Sequence, residues 1–401
     1  MLLKTPMFLV FLGITLFFGA PALASPAELD RYAVVTSIGI DKVESGYEVS
    51  LLTFIPIAEQ NFAETYKVVS AVGETISQGI DYAGLYVGRK IGLSHIKTIV
   101  VSDTLLDSDL GEQLDFFSRD DDVSLSTKLI VTDVKVKDFL DAVQKLDSEA
   151  SIKISELVSY NSKQIYATES SLETFYKGRF SPTEISLVPV FSLSKGNDGV
   201  SVENAGQSGT DNESEKSSQS EKGIVNNGES IVLKKGEKKL VLSREDVSNL
   251  NFLYGDFETG EISVYDFYDD VFKGANLTFE ILNKNIKKSV DFDNDKIFVD
   301  FDIKLEVLLK EVSYGTQALE QNLKINTFSN ELKDAIKSAV QEKIYTSFEI
   351  MKENGLDIVN FYTTAYNSNA KKFNKILEKC ENSSDYLSKM VCQADVNITI
   401  R

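Results

Sequence analysis

The C-terminal third of the chain carries the pattern that most constrains its fold. Apolar and charged residues alternate from Val299 to Val307 and in a closing run over residues 394–400. A period of two puts one face of a strand on a core and the other in solvent, as in antiparallel sheets. Across residues 329–353 apolar residues recur every three or four positions, which predicts one long amphipathic helix. We therefore predict an α+β domain over residues 271–401.

The first part of the chain begins with a hairpin and continues with alternating helices and strands. β-Branched runs at residues 33–41 and 47–55 predict two strands around a turn at Glu44-Ser45-Gly46. Ile96 to Val101 is a continuous apolar run, which indicates a buried strand. This order predicts a mixed α/β domain over residues 28–148. Its expected helices cover residues 72–85, 106–117 and 136–146.

An abrupt change in composition interrupts the chain after residue 193. Residues 194–220 are rich in Gly, Ser, Asn, Asp and Glu and contain almost no large apolar residue. Such a stretch cannot repay the entropy of ordering, so we expect a flexible loop over about residues 194–223. The loop lies in a middle domain over residues 149–270. The prediction is an α+β protein of three mixed α/β domains with mostly antiparallel or mixed sheets.

The first 24 residues predict export. Lys4 supplies an early positive charge, Met7 to Phe18 is apolar, and Ala22-Leu23-Ala24 offers small residues for cleavage before Ser25. The apolar stretch is shorter than the roughly 20 residues that span a bilayer. Residues 1–24 are therefore predicted to be a signal peptide; a retained N-terminal anchor is the alternative.

Charge and composition exclude several classes of function. The chain has 42 Lys plus Arg against 61 Asp plus Glu, a net charge of -19, so it repels nucleic-acid backbones. The chain has a single His, so it cannot build a multi-histidine metal site. We also expect no His-based catalytic triad. We predict no catalytic, cofactor-binding or metal-binding residues and expect no enzymatic activity.

Three polar features have ordinary structural interpretations. Asp291 to Asp295 with Asp302 superficially matches a calcium loop, but Lys296 stands where the central glycine belongs, so we expect an Asp-rich hairpin tip. Asp120-Asp121-Asp122 is expected to follow or cap a helix. His95 precedes a predicted buried strand and is expected to be structural.

The two cysteines lie close together near the C-terminus. In an exported protein, Cys380 and Cys392 favour a disulfide that closes a short loop worth roughly 3 kcal/mol. Two free thiols are the alternative. The spacing fits no zinc or redox motif.

Five groups of segments, in the same order along the chain, resemble the Ger(x)C family, the C subunits of bacterial spore germinant receptors. The groups are Glu28-Leu29 with Ala33 and Gly39-Ile40-Asp41; Arg89-Lys90 with Ser94-His95-Ile96-Lys97 and Thr98–Val101; Leu114–Asp120; Gly228–Lys235 with Leu240-Val241 and Leu250–Gly255; and Gly355-Leu356-Asp357-Ile358 with Val396–Ile400.

The resemblance implies a three-domain, non-enzymatic subunit at the outer face of the spore inner membrane. It implies two integral-membrane partners, the A-type and B-type subunits, in a receptor that senses small nutrients and triggers germination. Whether this subunit itself binds the germinant stays open. Family members carry a cysteine directly after the signal peptide, whereas Ala24-Ser25-Pro26-Ala27 contains none. Attachment through the partner subunits or through an uncleaved signal segment is therefore expected.

Two other functions are compatible with the residues. A free exported small-solute-binding protein would have a well-formed pocket and measurable affinity for a solute in isolation. An exported hydrolase that uses carboxylates is the third and least supported function.

Overall fold

The structure is a computed structural model that describes residues 32–54, 66–146, 150–161, 163–193, 224–314, 328–382 and 384–401. The predicted signal peptide and the predicted flexible loop at residues 194–223 both lie outside these residues.

Strands and helices alternate in the first half of the described chain, and long strands and helices dominate the second half. The strands are β1 (Tyr32–Val43), β2 (Gly46–Phe54), β3 (Tyr66–Gly73), β4 (Lys90–Gly92), β5 (Thr98–Ser102), β6 (Lys128–Thr132), β7 (Ile185–Leu193), β8 (Ile224–Lys234), β9 (Glu237–Leu242), β10 (Glu261–Tyr268), β11 (Lys273–Asp293), β12 (Lys296–Ser313) and β13 (Met390–Ile400). The α-helices are α1 (Ile76–Val87), α2 (Leu110–Gln113), α3 (Asp115–Arg119), α4 (Val136–Leu146), α5 (Ala150–Asn161), α6 (Leu172–Arg179), α7 (Arg244–Tyr254), α8 (Asn330–Asn354) and α9 (Phe361–Leu377).

The first nine strands form one mixed sheet, which we call the large sheet. Its order is β3-β2-β1-β5-β6-β7-β8-β9, and β4 pairs with the start of β1. β1, β5, β6 and β7 run parallel, and antiparallel pairs flank them on both sides. The α+β class with mixed sheets is thereby confirmed.

Both faces of the large sheet are covered, which explains the apolar run in β5. Ile99 and Val101 belong to one core with α1, whereas Val100 between them belongs to a second core beneath α4. A strand buried on both faces shows no polar alternation.

The last four strands form a second sheet, which we call the small sheet, in the order β10-β11-β12-β13. β11 and β12 form a long antiparallel hairpin that turns at Asn294 and Asp295, both with positive φ. β13 joins β12 in parallel. α8 covers this sheet with the predicted apolar stripe, and Ile336, Val340 and Ile344 are fully buried.

The large sheet runs through the predicted boundary at residues 148/149. β6 pairs with β7 through Val131 with Val190 and Thr132 with Phe191. Strands assigned from the sequence to the first and middle domains therefore share one ladder. The division into three domains stays a prediction.

Two predicted helices differ from the structure. The segment expected to be helical over residues 72–85 is strand up to Gly73, and α1 begins at Ile76 after Thr75, whose side chain accepts the Gln78 N–H. The segment expected over residues 106–117 is broken into a 3₁₀ turn and the short helices α2 and α3.

The break in the second of these predicted helices, after residue 108, is set by a long-range contact. The Asp109 carboxylate accepts the Gly111 N–H at 2.8 Å and so starts a new helix there. The same carboxylate accepts a bidentate pair of hydrogen bonds from Arg179 at the end of α6, one of them from Nε at 2.9 Å. Both side chains are only 19% exposed.

This ion pair predicts a loss of stability in acid. Burial alone would raise the pKa of Asp109, but the bonds from Arg179 and Gly111 outweigh it and lower the pKa. A lowered pKa gives stability that is present above the unfolded value near about 4 and is lost as pH falls through the folded value. We expect Asp109→Asn to flatten the decline of the unfolding free energy below that pH, measured by urea titration. Asp115→Asn, in the exposed pair with Arg119, should keep the wild-type profile.

Candidate functional site

The Gly39-Ile40-Asp41 segment lies against the start of helix α4 and holds it on the sheet. The Asp41 carboxylate accepts the N–H of Val136, the first residue of α4, at 3.0 Å. Burial raises the pKa of Asp41, and the bond from Val136 opposes that effect. Gly39 lies directly beneath Val136, and a Cβ at this position would overlap Val136 Cγ1. The segment therefore has a structural role in holding a helix on the sheet.

Helix α7 joins the large sheet to the small sheet. Val247, Leu250 and Leu253 on α7 pack in one apolar core with Val232 of β8 and Ile336 of α8. Because this core is continuous, the two sheets are held together by apolar packing and not by a polar linker. Asn251, only 5% exposed, donates from Nδ2 to the carbonyls of Ile165 at 2.8 Å and Ala167 at 2.9 Å.

A cleft of about 670 Å³ opens beside α7 at the contact between the two sheets, and we call it the junction cleft. Its walls come from α6, the start of β7, α7 and the loop before α9. The wall residues from these four elements include Gly178, Ile185, Leu187, Asn251, Tyr254, Ile358, Val359 and Asn360.

Charges in the junction cleft are largely paired. Lys128 lies 3.4 Å from Glu169, and Lys163 lies 3.2 Å from Glu258. Because each of these two lysines lies beside a carboxylate, the pairs add no net charge to the cleft. The walls of the cleft are otherwise partly polar and partly apolar.

The loop that closes the junction cleft is fixed by a buried carboxylate. Asp357 is 2% exposed and accepts the N–H groups of Phe361 at 2.8 Å and Tyr362 at 2.7 Å, which begin α9. It also accepts the Tyr386 hydroxyl at 2.6 Å. Burial raises the pKa of Asp357 although these bonds and the nearby Lys288 favour the ionised form.

Tyr254 connects this loop to α7. Its hydroxyl donates to the Ile358 carbonyl at 2.6 Å, and the burial of this hydroxyl end raises its pKa although the residue as a whole is 37% exposed. Asn251, Tyr254 and Asp357 were not predicted as site residues. The sequence does contain a local indication of the role of Asp357. Asp357 and Asn360 precede the apolar start of a helix, and Asp and Asn are typical N-terminal capping residues.

The carboxylates singled out in the sequence are not gathered into a metal site. Asp293 ends β11 and Asp295 lies in the β11–β12 turn, where it pairs with Lys379 at 2.6 Å. Asp120 follows α3 and accepts the Asp122 N–H at 2.9 Å. His95 is exposed before β5. Within the described ranges, no three His, Cys, Asp or Glu residues come together in an arrangement that could hold a metal ion.

Cys380 and Cys392 are both thiols in this structure. Cys380 follows α9 and donates from Sγ to the Ile376 carbonyl at 3.3 Å. Cys392 lies on β13, where it pairs with Val299. The disulfide between them stays a prediction.

The two thiols should differ in reactivity. Burial raises the pKa of Cys380 and raises that of Cys392 to about 12, so little of either is thiolate near neutral pH. We expect iodoacetamide to modify native Cys392 more slowly than Cys380, as followed by peptide mass spectrometry. Equal rates in urea are the control. Protection of both thiols in urea without reductant would instead identify a disulfide, and faster native modification of Cys392 would contradict the burial argument.

The architecture is that of an α+β protein built on two sheets. Its buried Asp41, Asn251 and Asp357 side chains hold neighbouring segments in place. Two family models match the chain in sequence order. The spore germination protein N-terminal domain covers residues 25–193, and the spore germination B3/GerAC-like C-terminal domain covers residues 228–401. The chain belongs to the Ger(x)C family of spore germinant receptor C subunits.

A solved structure, the crystal structure of the GerBC protein, is similar to this chain at 14% sequence identity and a TM-score of 0.49. The similarity covers 90% of this chain and 96% of that one. No curated protein matches the chain. In the part of the chain that the structure describes, none of the helices combines the length and the apolar character needed to cross a membrane.

Proposed function

We propose that this protein is the extracytoplasmic C-type subunit of a spore germinant receptor and takes part in nutrient sensing without catalysing a reaction. One observation carries the proposal: the two domain models of the family match in order and together cover most of the chain after residue 24. The buried carboxylates of Asp41 and Asp357 and the partly buried carboxylate of Asp109 each accept hydrogen bonds from backbone or side-chain donors, which supports structural roles for all three.

We further propose that the protein works at the outer face of the spore inner membrane with the A-type and B-type integral-membrane subunits. The segment Ala24-Ser25-Pro26-Ala27 offers no thiol for a diacylglycerol group. Attachment would then depend on the partner subunits or on a retained N-terminal segment.

Deletion of the gene tests the receptor role. Spores without this protein should lose the germination response to one class of nutrient and keep the response to agents that bypass nutrient receptors. Restoring the gene in trans should restore the response. An unchanged response to every nutrient tested, in a strain without a second copy of such a subunit, would contradict the proposal.

The junction cleft favours a second candidate, a free exported small-solute-binding protein, because its volume of about 670 Å³ would accommodate a small molecule. Calorimetry of the purified chain with amino acids and sugars distinguishes the two. Tight binding in isolation, together with normal germination of the deletion strain, would favour the solute-binding protein.

A further inference from the structure

The walls of the junction cleft are balanced in charge, although the chain as a whole is strongly acidic. Three lysines and three acidic residues line the cleft: Lys128, Lys163, Lys177, Glu169, Asp256 and Glu258. Lys177 lies 2.6 Å from Glu173, so each of the three lysines lies beside a carboxylate. In a protein with a net charge of -19, walls with equal numbers of opposite charges favour a ligand without net charge.

Asn251 brings an unsatisfied acceptor to the wall of this cleft. The residue is 5% exposed, and its Nδ2 donates to the carbonyls of both Ile165 and Ala167. These two bonds fix the orientation of the amide and turn Oδ1 away from the carbonyls, where no described residue donates to it. Oδ1 is not sealed from solvent, since Asn251 lines the cleft. Because buried polar groups are normally hydrogen-bonded, this oxygen calls for a donor from the cleft.

Asn360 brings a donor to the same cleft from the loop before α9. Its Oδ1 accepts the N–H of Thr363 at 3.2 Å and the hydroxyl of Thr363 at 2.8 Å. Its Nδ2 makes no hydrogen bond to a described residue, and Asn360 lines the cleft half-buried. Tyr254, one helical turn after Asn251, bonds through its hydroxyl to Ile358, two residues before Asn360. The two asparagines therefore lie on adjoining walls.

Apolar groups complete the walls beside the two amides. The Tyr254 hydroxyl is taken up by the Ile358 carbonyl, so the exposed part of this residue is its ring. Leu187 and Phe257 line the cleft as well. Aromatic and aliphatic walls with a few placed polar groups are typical of a site for a small molecule.

We propose that the junction cleft binds a small neutral hydroxylated solute, a sugar or a polyol. One hydroxyl donates to Asn251 Oδ1, another accepts from Asn360 Nδ2, and a C–H face of the solute packs on the Tyr254 ring. A hydroxyl both donates and accepts, whereas a carboxylate only accepts and an ammonium group only donates. The inference rests on the proposed role in nutrient sensing and deepens it by naming a ligand class and the residues that bind it.

Calorimetry of the full chain tests the ligand class. Glucose and myo-inositol are the neutral probes. Glucuronate and protonated glucosamine keep the sugar ring and add a charge of either sign, and alanine supplies both charges without hydroxyls. We expect measurable binding of glucose and myo-inositol and several-fold weaker binding of the other three.

Asn360→Asp tests the site itself. It keeps the oxygen that caps α9 and removes the Nδ2 donor, and we expect glucose to bind about tenfold more weakly. Asn330→Asp makes the same change at the exposed first residue of α8, which does not line the cleft, and should bind glucose like the wild type. Leu187→Trp narrows the cleft from β7 without touching the cap and should also weaken binding.

Lack of binding of both glucose and myo-inositol would overturn the inference. Tighter binding of glucuronate, glucosamine or alanine than of glucose would overturn the ligand class. Wild-type affinity for glucose in both Asn360→Asp and Leu187→Trp would show that the sugar binds elsewhere. The receptor role is judged separately by germination of the deletion strain, so a lost nutrient response without sugar binding would overturn this inference alone.

Discussion

Replacing Asp357 with alanine is expected to lower the free energy of unfolding by about 3 kcal/mol, because two buried donors and one partly buried donor would lose their acceptor at once. Those donors are the N–H groups of Phe361 and Tyr362 and the hydroxyl of Tyr386. Urea unfolding of the full chain, followed by circular dichroism, measures the loss.

Two variants control this result. Asp395→Ala removes a carboxylate that is 72% exposed on β13 and should change the unfolding free energy by less than about 1 kcal/mol. Asp357→Asn retains one acceptor oxygen and should lose less stability than Asp357→Ala. A loss for Asp357→Ala no larger than that for Asp395→Ala would contradict the view that this carboxylate fixes the loop at the junction cleft.

Replacing Gly39 with valine is expected to destabilise the protein by about 3 kcal/mol, because the added side chain would occupy the space of Val136 and lift the start of α4 from β1. Displacement of α4 would also lengthen the bond from the Val136 N–H to Asp41. The measurement is again urea unfolding.

A pair of glycines makes this prediction specific. Gly92→Ala should be tolerated, since the nearest atom to a Cβ there is the Ala33 carbonyl oxygen at 3.6 Å, an ordinary contact. Gly39→Ala should be clearly destabilising, and adding Val136→Ala should recover part of the loss because it removes the clashing methyl group. Additive losses in that double variant would show that the two residues do not compete for space.

The parts of the fold that could be predicted from the sequence are those determined by local periodicity. The stripe of α8 and the alternation of β12 need only neighbouring residues, and α4 has the predicted bounds, residues 136–146. The break after residue 108 could not be predicted in this way, because the Arg179 side chain that holds Asp109 comes 70 residues later.

The sites depend on long-range contacts in the same manner. Nothing near Asn251 in the sequence indicates that it donates to carbonyls of Ile165 and Ala167, more than 80 residues earlier. The pairing of β6 with β7 likewise joins segments on opposite sides of the predicted boundary at residues 148/149. The family resemblance drew attention to the Gly39-Ile40-Asp41 segment, but the reason for its glycine and aspartate emerges only from their contacts with the start of α4.

Co-purification is the most direct test of the proposal that this protein is a subunit of a membrane receptor. A C-terminally tagged chain would be purified from detergent-solubilised spore membranes, with membranes from an untagged strain as control. We expect two multipass membrane proteins to be recovered with the tagged chain and to be absent from the control. Recovery of the protein wholly in the soluble fraction, with neither partner, would show that it is not a subunit of a membrane receptor.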